Sequence, residues 1–312
     1  MRLSSIVARA CIAAFPVLAA ACSGGRSASL PAAPRANAQT PLTYMNAEVR
    51  TASNLLYMST FVGGTVQVYM QSGSNQQPIG QIGSISAPAG LAVTKKGDLY
   101  VASQHDGTVS VFHKGKTSPF KVLTGGASLA GVTVAPDGTV YASNGSSNKI
   151  YEWSTSLTPT VLTPNFSEPC EYVATDASGN LFVDSFFSEF DEFPAGSTKA
   201  SKLFVSYIGT PSGILVNSKR DIVANFTGGV IATFPPPYNG KTSAQFPYYG
   251  EMIAIALDKT EKTLWGGNMV PQGGGGTVGQ AYSMSTGALL DSTAGLGADS
   301  VLGVATFPPG RT

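Results

Sequence analysis

Side chains that could carry out chemistry are sparse in this 312-residue chain. It has two histidines, His105 and His113, and both fall in the same short segment. Histidine suits acid–base catalysis near neutral pH, but a catalytic histidine needs a nucleophile or an orienting carboxylate beside it. The sequence indicates no such partner for either one. We therefore expect two solvated surface histidines, one in a loop and one at a strand end.

Other nucleophile and phosphate-binding patterns are also missing from the sequence. No Gly-x-Ser-x-Gly segment precedes a predicted helix, which a nucleophile elbow requires. The glycine run from Gly273 to Gly276 lacks the lysine and the helix start of a phosphate loop. The third cysteine, Cys170, would be the one thiol left in the exported domain, so we expect it to be buried and unreactive. No catalytic residue is predicted.

Composition narrows the class of protein. Charged residues make up 12% of the chain, which also has 36 glycines and 20 prolines. Low charge with many turn-forming residues is typical of an all-β domain with tight connections. The formal net charge is +1, and no stretch is strongly basic. Because nucleic-acid binding depends on phosphate neutralisation, we predict no nucleic-acid partner.

The chain is organised by an internal repeat. Similar apolar segments begin at Leu99, Val140, Leu181 and Ile222, each 41 residues after the previous one, and further copies begin near Leu56 and Leu264. Five of the six copies have a second apolar segment upstream with a turn-rich connection, and the copies continue with two further short segments downstream. Four short strands in about 40 residues are the signature of a propeller blade. We therefore predict an all-β, six-bladed β-propeller with four-stranded blades over residues 51–312.

The first copy lacks its upstream segment, and the carboxyl terminus supplies one. Residues Gly303 to Thr306 repeat the missing pattern, and Gly310 follows at the spacing that separates Gly90 from Gly97. The C-terminal strand is therefore predicted to complete the first blade and to close the ring, which removes an open sheet edge.

The repeat is most complete between Pro88 and Phe112. It reads Gly-Leu-Ala-Val, then Gly97, then Leu-Tyr-Val-Ala, and finally Val-Ser-Val-Phe. This segment resembles the NHL and YVTN-type propeller repeats and, more distantly, the gluconolactonase and regucalcin-like family. The lactonase resemblance implies a divalent metal held by acidic and asparagine side chains just before the glycine of each innermost strand. The matching positions here are Ala89, Ala130, Glu171, Ser212, Ile253 and Leu302.

Among those six positions, Glu171 alone could be a strong oxygen ligand, and a single carboxylate holds a hard cation weakly. We therefore predict no metal and no cofactor, and we do not carry lactonase activity over from the resemblance.

Strand direction places two sets of loops on one face of the ring: those that enter the innermost strands and those that follow the second strands. Aromatic side chains mixed with amides and a carboxylate can stack on sugars or grip an extended peptide. The alternative is that most of these aromatic residues pack between blades. The predicted ligand-binding residues are Asn144, Glu171, Asp184, Phe186, Phe187, Tyr248, Tyr249 and Asn268.

The amino terminus predicts export and lipid attachment. Arg2 and Arg9 precede an apolar run that is too short to span a bilayer but fits a signal peptide. The run ends Leu-Ala-Ala-Ala before Cys22, which resembles a bacterial lipobox, with cleavage further downstream in a plain secreted protein as the alternative. We predict a signal peptide over residues 1–21 and a lipidated Cys22, followed by a disordered tether to residue 50. Ser23 favours the outer membrane.

The predicted function is that of a monomeric lipoprotein of the bacterial cell envelope. The absence of a recognisable catalytic set favours a non-catalytic propeller that binds an envelope protein, a peptide or a glycan. The alternative is a lactonase-like or other hydrolase with a divergent site around Glu171 in the central channel.

Overall fold

The computed structural model describes residues 42–73, 75–269, 276–296 and 299–310. The predicted signal peptide, Cys22 and most of the predicted tether lie outside these residues. The described chain forms one short helix, α1 (Glu48–Thr51), and 25 strands. The strands are β1 (Tyr44–Met45), β2 (Leu55–Thr60), β3 (Thr65–Met70), β4 (Gly80–Ile82), β5 (Pro88–Val93), β6 (Leu99–Ser103), β7 (Thr108–Phe112), β8 (Lys121–Thr124), β9 (Leu129–Val134), β10 (Val140–Asn144), β11 (Ile150–Trp153), β12 (Thr160–Leu162), β13 (Cys170–Thr175), β14 (Leu181–Ser185), β15 (Glu189–Phe193), β16 (Ser201–Val205), β17 (Pro211–Val216), β18 (Ile222–Phe226), β19 (Val230–Phe234), β20 (Ala244–Pro247), β21 (Met252–Leu257), β22 (Thr263–Asn268), β23 (Val278–Ser283), β24 (Leu289–Ser292) and β25 (Val304–Phe307).

These strands form six antiparallel sheets, which are the blades of a six-bladed β-propeller. Blades 2 to 6 each use four consecutive strands, from β5–β8 in blade 2 to β21–β24 in blade 6. The innermost strands β25, β5, β9, β13, β17 and β21 contact one another in that order around the ring, and β21 returns to β25. The predicted fold class is confirmed.

Blade 1 is completed by the C-terminal strand, as the repeat predicts. β25 pairs with β2 in antiparallel register, with Leu55 opposite Phe307 and Met58 opposite Val304. The Ser59 amide also donates a hydrogen bond to the Gly303 carbonyl, at 3.0 Å. This pairing joins the first described blade strand to the last and leaves no seam in the ring.

Tight turns join the first and second strands of the blades. Gly97, Gly138 and Gly179 occupy equivalent turn positions with φ of 92°, 93° and 85°. This left-handed conformation is disfavoured for residues that carry a Cβ, which explains the glycine at a fixed place in the repeat.

The segment before blade 1 differs from the prediction. β1 adds a fifth strand outside β4, and α1 follows it, although residues 44–50 are predicted to belong to the tether and no helix is expected. Val49 is fully buried and packs in the same apolar cluster as Leu55. A two-residue strand and a one-turn helix have no periodic pattern, so this part of the fold escapes sequence analysis.

The core lies between and within the blades as a series of apolar clusters. Aromatic residues that end the third strands, such as Trp153, Phe193 and Phe234, are fully buried. In the described part of the chain, no helix has both the length and the apolar character needed to cross a membrane.

Candidate functional site

We call the end of the ring where the innermost strands begin the upper face, and the opposite end the lower face. At the upper end of the channel, glycines let neighbouring innermost strands approach closely. A Cβ on Gly90 would lie 2.5 Å from the Ala130 carbonyl oxygen, and one on Gly303 would lie 2.1 Å from that of Ala89. Gly131 and Gly213 occupy the equivalent places in blades 3 and 5.

Two of the six equivalent positions are not glycine, Ala254 in blade 6 and Tyr172 in blade 4, and Tyr172 occupies the channel. It belongs to blade 4, yet its side chain packs against two core clusters on different sides of the ring. One contains Phe182 and Ile214 of blades 4 and 5, and the other contains Leu56 and Trp265 of blades 1 and 6. The Tyr172 ring therefore crosses the channel and leaves a cavity of only about 40 Å³ beside it.

The lower half of the channel is a cavity of about 140 Å³, lined by aliphatic side chains such as Leu91, Val132, Val173 and Ile214 and by threonines. Threonine hydroxyls in its wall bond to neighbouring strands. Thr306 donates to the Leu257 carbonyl, and the Thr133 and Thr175 hydroxyls lie 3.2 Å apart. Among the described residues, no three His, Cys, Asp or Glu side chains come together in a way that could hold a metal ion.

Two carboxyl groups lie beside Tyr172. Glu171 stands at the upper end of β13, and burial raises its pKa to about 7. Asp184 on β14 is fully buried, and its Oδ1 accepts a hydrogen bond from the Tyr172 amide at 2.7 Å. Burial, together with the nearby charge of Glu171, holds the pKa of Asp184 well above its ordinary value. Burial therefore favours the protonated form of Asp184.

Asp184 occupies a repeat position whose side chain bridges two blades. In blade 3 the equivalent Ser143 hydroxyl accepts from the Gly131 amide at 2.8 Å and donates to the Glu171 carbonyl of blade 4 at 2.7 Å. In blade 5, Asn225 Nδ2 donates to the Met252 carbonyl of blade 6 at 2.8 Å. Asp184 accepts the equivalent hydrogen bond within its own blade, from the Tyr172 amide. Its Oδ2, which would face the next blade, is buried without a hydrogen-bond partner among the described residues.

Four of the eight predicted binding residues lie inside the protein rather than on the face. Besides Asp184, they are Asn144, Tyr248 and Asn268, at 7%, 7% and 0% exposure. Asn144 and Asn268 donate to the loop carbonyls of Ala127 and Tyr249, and the Tyr248 hydroxyl donates to the Phe226 carbonyl. These polar groups hold the upper loops in place, because a buried donor needs an acceptor. The structure does not place them where a ligand on the face would touch them.

The remaining predicted residues are at the upper face, where Glu171 is half-buried and three aromatic residues are exposed. Phe186 and Phe187 form an edge-to-face pair with ring centroids 5.5 Å apart, and Phe187 is 63% exposed. Tyr249 is 61% exposed. The two phenylalanines occupy the β14–β15 turn, which is fixed by hydrogen bonds from the amides of Phe187 and Glu189 to the Ser185 hydroxyl.

Tyr207 is a fourth exposed aromatic residue at this face, and sequence analysis missed it. It is 95% exposed and follows the outermost strand of blade 4. The Ser206 amide donates to the Ser188 carbonyl at 2.8 Å, so the Tyr207 loop is bonded to the loop that carries Phe186 and Phe187. Its position in a connecting loop outside the repeated strands gave no signal. We call Phe186, Phe187, Tyr207 and Tyr249 the aromatic rim.

The two histidines lie at opposite ends of blade 2 and do not form a pair. His105 is in an upper loop and meets the Phe61 ring edge-on at 5.9 Å. His113 is at the lower end, where its Nδ1 lies 2.8 Å from Asp98 Oδ1 and its ring stacks on Phe120 at 3.7 Å. Both are exposed, as predicted.

Cys170 is a free, fully buried thiol, in agreement with the prediction. Burial is the main reason that its pKa is raised, and the neighbouring carboxyl groups of Asp184 and Asp191 add to the effect. A thiol that stays protonated is a poor nucleophile.

The fold and this channel define the chain as a β-propeller. No family model matches the sequence, and no curated protein matches it. Among solved structures, it resembles a chain from a nidogen/laminin complex, with a TM-score of 0.67 and 13% identity. The similarity covers 81% of this chain and 98% of that one. At this identity the likeness supports the fold alone.

Proposed function

We propose that this protein is a non-catalytic binding propeller of the bacterial cell envelope and that its upper face holds a protein partner. The observation that carries the proposal is the aromatic rim. Phe187, Tyr207 and Tyr249 are each more than half exposed, although large aromatic side chains gain free energy from burial. Exposed aromatic groups on one face are typical of protein-binding surfaces, where they supply much of the binding energy.

The rim is held rigidly, which favours recognition. The turn of Phe186 and Phe187 is fixed through the Ser185 hydroxyl, and the Tyr207 loop is bonded to that turn. Because the backbone of these loops is already ordered, a partner would lose less conformational entropy than in binding a flexible loop. The similar solved propeller also comes from a complex between two proteins, nidogen and laminin.

The channel gives less support to the hydrolase alternative. Tyr172 crosses the channel, so a substrate entering from above would meet a tyrosine ring before the lower cavity. Glu171 stands near the upper mouth without a second carboxylate on the adjacent innermost strands, where Ala130 and Ser212 are its counterparts. We therefore do not assign hydrolysis to this site.

The location in the envelope rests on the sequence of the amino terminus. Cys22 after the apolar run supports lipid attachment, and we propose that the domain is anchored through it, in the outer membrane of a cell that has one. The NHL and YVTN-type resemblance of the repeats is compatible with this interpretation, since that repeat pattern is shared by many functions.

Capture from envelope extracts tests the proposal. The immobilised protein is compared with Phe187→Ala/Tyr207→Ala and with Leu157→Ala, a control that removes an apolar side chain 66% exposed in a lower loop of blade 3. We expect one protein to be retained by the native chain and the control, and to be lost with the double variant. Retention of polysaccharide instead of protein, or equal retention by all three chains, would contradict the proposal.

A further inference from the structure

The two faces of the propeller carry opposite charge. The described upper loops have one basic residue, Lys149, and four acidic ones, Asp106, Glu168, Glu251 and Asp299. Glu171 adds a fifth carboxyl group at the start of β13. The described lower loops reverse this balance. They contain six acidic residues, Asp98, Asp137, Asp176, Asp221, Asp258 and Glu261, and ten basic residues, Lys95, Lys96, Lys114, Lys116, Lys199, Lys219, Arg220, Lys241, Lys259 and Lys262.

Part of this positive charge is concentrated below blades 1 and 2. A Cβ on Gly97 would lie 3.2 Å from the Lys114 Cβ, so the turn that carries Lys95 and Lys96 packs against Lys114. Gly115 in turn packs against the Arg50 side chain of α1. We call this group the basic cluster; its members are Arg50, Lys95, Lys96, Lys114 and Lys116.

The cluster keeps its charge available to an external partner. Arg50, Lys95, Lys96 and Lys116 are exposed, and no salt bridge between described residues includes any of them. Lys114 has a structural role instead, because it donates to the Ala52 carbonyl and lies 4.2 Å from the centre of the Phe307 ring.

The acidic groups near the cluster do not cancel it. Asp98 lies in the same turn as Lys95 and Lys96 and is bonded to His113, and Glu48 shares α1 with Arg50. Two carboxylates against five cations leave a net positive patch. An anionic bilayer surface attracts such a patch, because each lysine or arginine near the headgroups adds favourable Coulomb energy.

We propose that the lower face, through the basic cluster, lies against an anionic phospholipid surface. This goes beyond the proposed function, which concerns a protein on the opposite face, and it uses the proposed lipid anchor only to bring the domain near a bilayer. The chain between Cys22 and Leu42 reaches about 70 Å when extended, so attachment leaves either face free to meet the membrane. Because the net positive charge lies on the lower face, we expect that face to meet the membrane. The aromatic rim then points away from the bilayer.

Vesicle co-sedimentation tests this surface without the anchor. Residues 22–312 with Cys22→Ser, which lack the apolar segment of the predicted signal peptide, are mixed with phosphatidylcholine vesicles, with or without phosphatidylglycerol, at low and high salt. We expect binding only to the anionic vesicles, weakened by salt because screening shortens the range of the attraction. Adding Lys95→Gln, Lys96→Gln and Lys116→Gln should lower the partition coefficient about 100-fold, at roughly fivefold per lysine.

The matched control neutralises three lower-face lysines of blades 4 to 6, with Lys199→Gln, Lys241→Gln and Lys259→Gln. It changes the net charge by the same amount and should weaken binding less than about fivefold. Equal losses in both triple variants would show that net charge rather than the cluster drives binding and would overturn the proposal. Absence of binding to anionic vesicles, or equal binding to neutral ones, would also overturn it. Neither result bears on the aromatic rim, whose partner is tested separately by capture.

Discussion

The buried carboxyl group of Glu171 should make the stability of the propeller depend on pH. The unfolded chain releases this proton near the ordinary pKa of 4.5, whereas burial keeps it on the folded protein until about pH 7. Between these values the folded state binds more protons than the unfolded state, so the free energy of unfolding falls as the pH rises. The contribution is fully present below pH 4.5 and is lost by about pH 7.

Glu171→Gln removes the titrating carboxyl group, so this fall in the free energy of unfolding with rising pH should be absent from the variant. The difference between the two pKa values corresponds to about 3 kcal/mol. Relative to the native protein, the variant should therefore gain about 3 kcal/mol in free energy of unfolding as the pH rises from 4.5 to 7. Asp184 contributes its own pH dependence in both proteins, and burial, the main cause of its raised pKa, is the same in both. The difference between the two proteins therefore reports mainly on Glu171.

Urea unfolding at a series of pH values measures this difference, and the fluorescence of the buried Trp153 and Trp265 reports on the transition. Glu251→Gln is the matched control, because it removes an exposed carboxyl group from the same face. If the difference between native protein and Glu171→Gln does not change with pH, the burial argument is wrong.

Three further predictions concern the interior and the ring closure. Asp184→Asn removes a buried ionisable carboxyl group whose Oδ2 has no hydrogen-bond partner among the described residues. Because burial of that group costs more as the pH rises above its ordinary pKa, the substitution should raise the free energy of unfolding at pH 8 by about 1–2 kcal/mol; destabilisation in the same urea assay would refute this. Cys170 should react with a thiol reagent such as Ellman's reagent only after unfolding, because it is fully buried, and rapid labelling of the native protein would count against that. A chain ending at residue 300 lacks β25 and should lose cooperative thermal unfolding by calorimetry, while one ending at Gly310 should keep it; equal transitions would contradict the closure.

The repeat predicts the fold well because every blade packs equivalent apolar segments in the same way. The apolar segments recur at a fixed spacing, and the turn glycines, such as Gly97 and Gly138, are fixed by their left-handed backbone. β1 and α1 could not be predicted, because Val49 is the one buried residue in these two elements and they have no counterpart in other blades.

The site was harder to predict than the fold. The strand pattern predicts Asp184 on the face, although its repeat counterparts Ser143 and Asn225 are small polar residues suited to bridging two blades. Comparison of those positions could have indicated a buried role. The charge difference between the faces also escaped analysis, because loops of the two faces alternate along the chain and no stretch is strongly basic.

Site-specific photo-crosslinking in living cells tests most directly whether the upper face holds a protein partner. Benzoylphenylalanine is placed at position 187, where Phe187 is 63% exposed, and separately at position 157 on the lower face, where Leu157 is 66% exposed. We predict a discrete crosslinked protein from position 187 that is absent from position 157 and is lost when Tyr207→Ala is added. Crosslinking from position 157 alone, or no crosslinked protein from position 187, would contradict the proposed binding role of this face.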